Sequence, residues 1–146
     1  MNSLNFPDTN VWLALVWGRH SHSETARAWF ESCDGERFLF CRFTQLALLR
    51  LLTTKAVMGR DTKTMTQAWD LYRRCRAEER ITFLAEPEGL DFYFHALSKG
   101  RQASPKLWAD ACLGAFTAAA GLTLVTFDKA FRTRQLSCRL LPSPRL

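Results

Sequence analysis

The chain has 146 residues, 47% of them apolar, with 20 basic side chains against 14 acidic ones and a formal charge of +6. That length suits one domain spanning residues 1–146, and no apolar run approaches the ~20 residues that cross a membrane. The positive balance favours an anionic partner without separating RNA, DNA and an acidic protein. Cys33, Cys41, Cys75, Cys112 and Cys138 are odd in number and lack a Cys-x-x-Cys pair. This argues against a secreted disulfide framework. No basic run precedes the first apolar stretch, so the expectation is a reduced, cytoplasmic protein.

Leu4 to Pro7 reads as a first strand, and the chain turns at Asp8-Thr9-Asn10. Val11 to Trp17 is too short for periodicity to decide, but the preceding turn favours a helix that Gly18 ends. Ser21 to Glu24 has capping-box spacing ahead of a helix carrying Trp29 and Cys33. After Asp34-Gly35, Arg37 to Phe43 predicts strand two. Thr44 is placed to cap a helix from Gln45 to Leu52, with Leu46, Leu49 and Leu52, or Leu48 and Leu52, as its apolar face. Asp61 to Thr64 starts another helix, through Met65, Trp69 and Tyr72 to about Glu79. Ile81 to Leu84 is β-like.

Leu90 to Leu97 predicts a helix, followed by a basic loop at Lys99-Gly100-Arg101. Ser104-Pro105 opens a further helix, with proline at its first position, that closes at Gly121. Leu122 to Phe127 is the clearest strand, and Arg139 to Leu141 is a candidate last one. The alternation of strands and helices argues for an α/β fold with a mostly parallel sheet covered by helices.

Three acids stand beside apolar runs in this pattern. Asp8 follows strand one, Asp128 follows the strand ending at Phe127, and Asp110 lies near the start of the helix opened at Ser104. In open α/β sheets ligands collect beyond the carboxyl ends of the strands, where the helix N-termini also lie. All three acids are therefore expected at one edge. Carboxylates brought together either take up protons or hold a divalent ion. Oxygen donors without a His or Cys cluster suit Mg²⁺ or Mn²⁺ rather than zinc. Such an ion orients and acidifies a water and stabilises charge on a phosphoryl oxygen. Asn10, Thr44 and Thr126 are placed to hold a carboxylate or a water. Each acid also has a plainer reading: Asp8 and Asp128 as helix caps, Asp110 as a solvated residue. Spacing alone leaves receiver-like and phosphatase-like folds open.

Taken in order, Pro7-Asp8-Thr9-Asn10-Val11-Trp12-Leu13-Ala14-Leu15, His20-Ser21-His22-Ser23-Glu24-Thr25-Ala26, Cys41-Arg42-Phe43-Thr44-Gln45-Leu46-Ala47-Leu48-Leu49-Arg50, Trp108-Ala109-Asp110-Ala111 and Val125-Thr126-Phe127-Asp128-Lys129-Ala130-Phe131 are recognisable. Across essentially its whole length the chain resembles a PIN-domain ribonuclease of the VapC type, the toxin of type II toxin–antitoxin systems. The resemblance implies a three-layer α/β/α sandwich around a sheet of four or five strands. It implies that Asp8, Asp110 and Asp128 are the metal-binding catalytic acids for Mg²⁺- or Mn²⁺-dependent cleavage of an RNA phosphodiester bond. It further implies a VapB-like antitoxin whose C-terminal segment lies in or near the groove, a homodimer, and toxin–antitoxin hetero-oligomers.

The sequence departs from that family at one place. That family usually carries a Glu at the start of the helix after strand two, where this chain reads Thr44-Gln45-Leu46-Ala47. Gln45 is expected to stand in the missing acid's place without its charge. Arg19, Arg42, Arg50 and Lys129 are candidate RNA-binding residues, with Lys99, Arg101, Lys106 and Arg132 near the same edge. For Arg50, pairing with a site carboxylate is an equal alternative. Two further readings compete: a non-catalytic RNA- or antitoxin-binding module with an incomplete acidic site, and a receiver-like phosphoacceptor.

Overall fold

A computed structural model describes residues 4–133 and 136–143. Strand β1 (Leu4–Pro7) leads into α1 (Thr9–Val16) and α2 (Ser23–Ser32). Next come β2 (Arg37–Phe40), α3 (Arg42–Leu52), the short α4 (Lys55–Met58) with a 3-10 turn at Gly59–Asp61, and α5 (Met65–Arg76). The chain continues as β3 (Ile81–Phe83), α6 (Leu90–Ser98), α7 (Leu107–Ala120), β4 (Thr123–Thr126), a second 3-10 turn at Lys129–Thr133, and β5 (Cys138–Leu140). The expected alternation is present. Arg134 and Arg145 lie outside the described residues.

The five strands form one sheet in the order β3-β2-β1-β4-β5, with every pair parallel. Parallel strands need helical crossovers, which cover both faces and give a three-layer sandwich. One face buries Trp12 of α1, Trp29 of α2, Leu48 and Leu52 of α3, and Tyr72 of α5 against Phe38 and Phe40. Trp12 stacks on Phe40 with ring centroids 3.8 Å apart. The other face packs Leu90, Leu113 and Phe116 of α6 and α7, with Phe131, against Phe6, Leu39 and Leu124. Among the described residues, no helix is long and apolar enough to cross a membrane.

Strand order fixes where a ligand site can form. Successive strands run outward from β1 to β3 on one side, and the chain then returns to place β4 on β1's other flank. The crevice between the carboxyl ends of β1 and β4 is the point where the order reverses, the usual ligand position in an open parallel sheet. This order also differs from the 2-1-3-4-5 order of receiver-like sheets.

Several helix starts differ from expectation. Strand β2 ends at Phe40, because Cys41 in extended conformation is the N-cap of α3. Thr44 sits at the third helical position, where its hydroxyl accepts from the Cys41 N–H at 3.0 Å. Ser21 does not cap α2. His22 is the N-cap residue without a side-chain bond, and the His20 ring nitrogen accepts from the His22 N–H at 3.0 Å. Helix α7 starts at Leu107, after a turn through Ser104-Pro105-Lys106, and closes on Gly121 at φ 64°. In α3, Leu48 and Leu52 are buried, whereas Leu46 is 57% exposed.

Candidate active site

The β1–α1 junction builds the first part of the site. Asp8 follows the last residue of β1, and its backbone N–H donates to the Val125 carbonyl of β4 at 2.9 Å. It is also the N-cap of α1: Oδ1 accepts from the Val11 N–H at 3.1 Å. The other carboxylate oxygen, Oδ2, accepts a short hydrogen bond from the Thr126 hydroxyl at the end of β4. Thr126 Oγ1 in turn accepts from the Asp128 backbone N–H at 3.0 Å. One buried hydroxyl thus ties the two acid-bearing strand ends together. Asp128 turns the chain into the following 3-10 segment, its Oδ1 accepting from the Ala130 N–H at 2.9 Å.

Asp110 occupies the first turn of α7. That helix runs antiparallel to β4, so its N-terminus reaches the carboxyl edge. Asp8, Asp110 and Asp128 all line one cleft of about 490 Å³, together with Thr9, Asn10, Phe43, Ala47, Arg50, Leu51 and Thr54. The capping readings of Asp8 and Asp128 therefore hold alongside their placement in the cleft.

The electrostatics of Asp8 are set by burial. Desolvation pushes its carboxyl up to about 6, against hydrogen bonds from Thr126, Val11 and Asn10 that pull it down; the Asp128 charge adds a small upward push. A buried carboxyl raised in this way gains from a nearby cation. No three His, Cys, Asp or Glu side chains among the described residues are grouped so as to hold a metal ion. The donor chemistry nevertheless suits a hard divalent cation. Asp8, Asp110, Asp128 and Asn10 line the same cleft and offer carboxylate and amide oxygens, the donor type such a cation takes.

The supporting residues divide. Asn10 lines the cleft, and Thr126 reaches it through Asp8. Thr44 is fully buried in the first turn of α3. Gln45 is buried as well, its Oε1 accepting from Arg42, and it does not line the cleft. The α3 residues that do are Phe43, Ala47, Arg50 and Leu51. Ala47, a cleft position that sequence reasoning passed over, lies on the Arg50 face of the helix; counting turns from Phe43 finds it.

Among the candidate cations, Arg50 lines the cleft. Arg19 pairs with Asp61 at 3.3 Å. Arg42 bonds Gln45 and lies over the Phe83 ring. Lys129 is exposed directly after Asp128, as are Arg132 and, between α6 and α7, Lys99, Arg101 and Lys106. No histidine is among the residues lining the cleft; His22 instead packs against Phe127 in a tilted ring pair, with centroids 4.1 Å apart. All five cysteines are free, and burial pushes the Cys75 thiol up to about 12 and Cys112 up to about 11. Neither supplies a thiolate at neutral pH.

Comparison with known proteins bears on the family and the fold. The PIN domain family matches residues 6–135. Ribonuclease VapC41 of Mycobacterium tuberculosis is 40% identical over 129 residues, covering 85% of this chain and 88% of the relative. VapBC2 from Rickettsia felis, solved bound to a DNA fragment from their promoter, superposes with a TM-score of 0.71 at 14% identity, over 95% of this chain and 99% of that one. Mycobacterium tuberculosis VapC20, a sarcin-ricin loop cleaving toxin, superposes with a TM-score of 0.64 at 16% identity, over 90% and 95% of the two chains. At these identities the structural likeness speaks to the fold, and the sequence match to lineage. The chain belongs to the PIN-domain family, among the VapC-type toxins.

Proposed function

We propose that the protein is a metal-dependent endoribonuclease toxin that hydrolyses RNA phosphodiester bonds and is neutralised by a cognate antitoxin. The observation that carries this reading is the convergence of Asp8, Asp110 and Asp128 on one cleft at the reversal point of the sheet. The relative named as a ribonuclease at 40% identity supports it.

Asp8, Asp110 and Asp128 would hold Mg²⁺ or Mn²⁺ there. When bound, the cation supplies charge against the phosphoryl oxygens and acidity to the attacking water. The chain's own contributions follow from the bonds described. Thr126 and the α1 N-terminus fix the Asp8 carboxylate at the cleft wall. Thr126 also holds the backbone of Asp128. Asn10 offers an amide to orient a water or a carboxylate. Lys129 and the exposed cations between α6 and α7 attract the RNA backbone without reading its sequence.

The partner we infer is a VapB-like antitoxin whose basic or polar C-terminal segment covers this acidic cleft. Toxin dimers joined through antitoxin dimers would be the assembled form.

A second reading is a non-catalytic RNA- or antitoxin-binding module. It draws on α3, which brings no acid to the cleft, and on the lack of a ready-made ion cage among the described residues. Purified protein tested on RNA with and without Mg²⁺ or Mn²⁺ separates the two. Cleavage that requires the cation, and disappears in Asp8→Ala and Asp110→Ala proteins that still fold, supports the nuclease. Equal activity in those variants refutes it.

A further inference from the structure

Helix α3 presents Phe43, Ala47, Arg50 and Leu51 to the cleft, spacings that define one helical face. Among the described lining residues, Arg50 is the only cation, set against Asp8, Asp110 and Asp128 on the other walls. Ala47, one turn earlier, adds only a methyl group. The ion pairs among the described residues join Arg19 to Asp61, Arg73 to Asp70 and Arg80 to Glu78. Arg50 is exposed, enters none of these pairs, and has no described hydrogen-bond acceptor. The pairing with a site carboxylate that the sequence left open is not among these described ion pairs. Its place in the last turn of α3 suits a cation in itself, because the helix dipole is negative there.

A cleft walled by three carboxylates repels a phosphodiester unless positive charge meets the non-bridging oxygens. The guanidinium fork matches that oxygen geometry and stays charged at every working pH. We propose that Arg50 is a phosphate ligand of this cleft, taking a non-bridging oxygen of the scissile phosphodiester, so that α3 contributes a cation where a fourth acid is expected. The inference rests on the reading of the cleft as an RNA-cleaving centre.

The test compares wild type with Arg50→Ala, Arg50→Lys and Ala47→Glu, each checked for an unchanged Tm. The probe is a short random-sequence RNA oligonucleotide. Single-turnover cleavage is measured across a Mg²⁺ titration, and affinity is measured without Mg²⁺ across a salt series. The expected result for Arg50→Ala is a loss of roughly 10²-fold in the maximal rate, the size of one missing transition-state donor, with the Mg²⁺ midpoint unmoved. The Lys variant recovers part of that loss as a point charge. In binding, Arg50→Ala reduces the salt slope by about 0.7, the value for one phosphate contact on a single strand. Ala47→Glu sets a carboxylate one turn from Arg50 and weakens binding, whereas tighter binding or faster cleavage would show that the cleft wanted an acid and would overturn the proposal. Cleavage by Arg50→Ala within about threefold of wild type also overturns it, since a single donor is worth far more. If wild type does not cleave, the nuclease reading fails by itself. The salt slope then decides for Arg50: a reduced slope supports it, and an unchanged slope sinks it.

Discussion

Replacing Asp8 by asparagine is expected to make the cation-free protein more stable, and only above a definite pH. Asp8 is 8% exposed, and burial lifts its carboxyl from 3.8 to about 6. Below pH 3.8 the carboxyl is protonated in both folded and unfolded chains, and the shift has no effect on stability. Between 3.8 and about 6 the folded chain binds more protons than the unfolded one, so stability falls as pH rises. Above about 6 the full penalty is present, of order 3 kcal/mol for a shift of this size. That is a large part of the ~5–15 kcal/mol that stabilises a typical domain.

Asparagine is as good an N-cap as aspartate, so the bond from the Val11 N–H survives. The Thr126 hydroxyl has a spare lone pair to accept from the new amide. The Asp8→Asn protein should therefore melt above wild type by roughly 6–12 °C on the basic side of this window, taking about 2–4 °C per kcal/mol. The gap should close as pH falls toward about 4, the ordinary carboxylate range. Thermal melts in EDTA across this range measure it directly. Adding Mg²⁺ should then raise the wild-type melting point and leave the variant unmoved, because only the carboxylate gains from the cation. A gap that stays constant with pH, or a variant less stable than wild type near neutrality, would refute the account of Asp8 as a desolvated carboxylate awaiting a cation.

Two further substitutions probe the supports of the site. Thr126→Val keeps shape but removes both the donor to Asp8 Oδ2 and the acceptor of the Asp128 N–H. Urea unfolding should show a loss of about 1–3 kcal/mol, and the pH dependence of stability should move upward with the Asp8 pKa. Gly114 of α7 faces α6, and a Cβ there would lie 2.9 Å from Leu97 Cδ1 and 3.1 Å from Leu136 Cδ1. Gly114→Val should cost about 1–3 kcal/mol in urea unfolding through overpacking; a midpoint equal to wild type would show that the two leucines yield freely.

The fold was legible because apolar runs of four to six residues alternate with longer amphipathic stretches, and that pattern admits few architectures. The edge shared by Asp8, Asp110 and Asp128 was legible for the same reason: parallel strands must all end on one side. Helix starts were harder. Thr44 looks like a cap because threonine commonly is one, but Cys41 already lies in extended conformation with ψ 175° and takes that place. Ser21 and Glu24 have the right spacing for a capping box, yet the tight turn at His20 begins α2 later and lets an imidazole nitrogen meet the free N–H. Exposed Leu46 shows the same limit, since two leucine stripes fit the sequence and only packing selects Leu48 and Leu52.

Gln45 exposes the deepest difference between reading a distance and reading a direction. Counting from the end of β2 puts Gln45 near the carboxyl edge, as an acid of the site would be. An α-helix turns about 100° per residue, however, so Gln45 points about 200° away from Ala47, a residue that lines the cleft. Turned into the protein, its amide oxygen requires a donor, and Arg42 supplies one. The charge that α3 does bring to the acids is that of Arg50, one turn beyond Ala47. Helix α3 thus brings a positive charge, and no carboxylate, to the cleft wall. Under the proposed function, such a cleft would rely on fewer acids for its cation and would offer the Arg50 guanidinium to the phosphate.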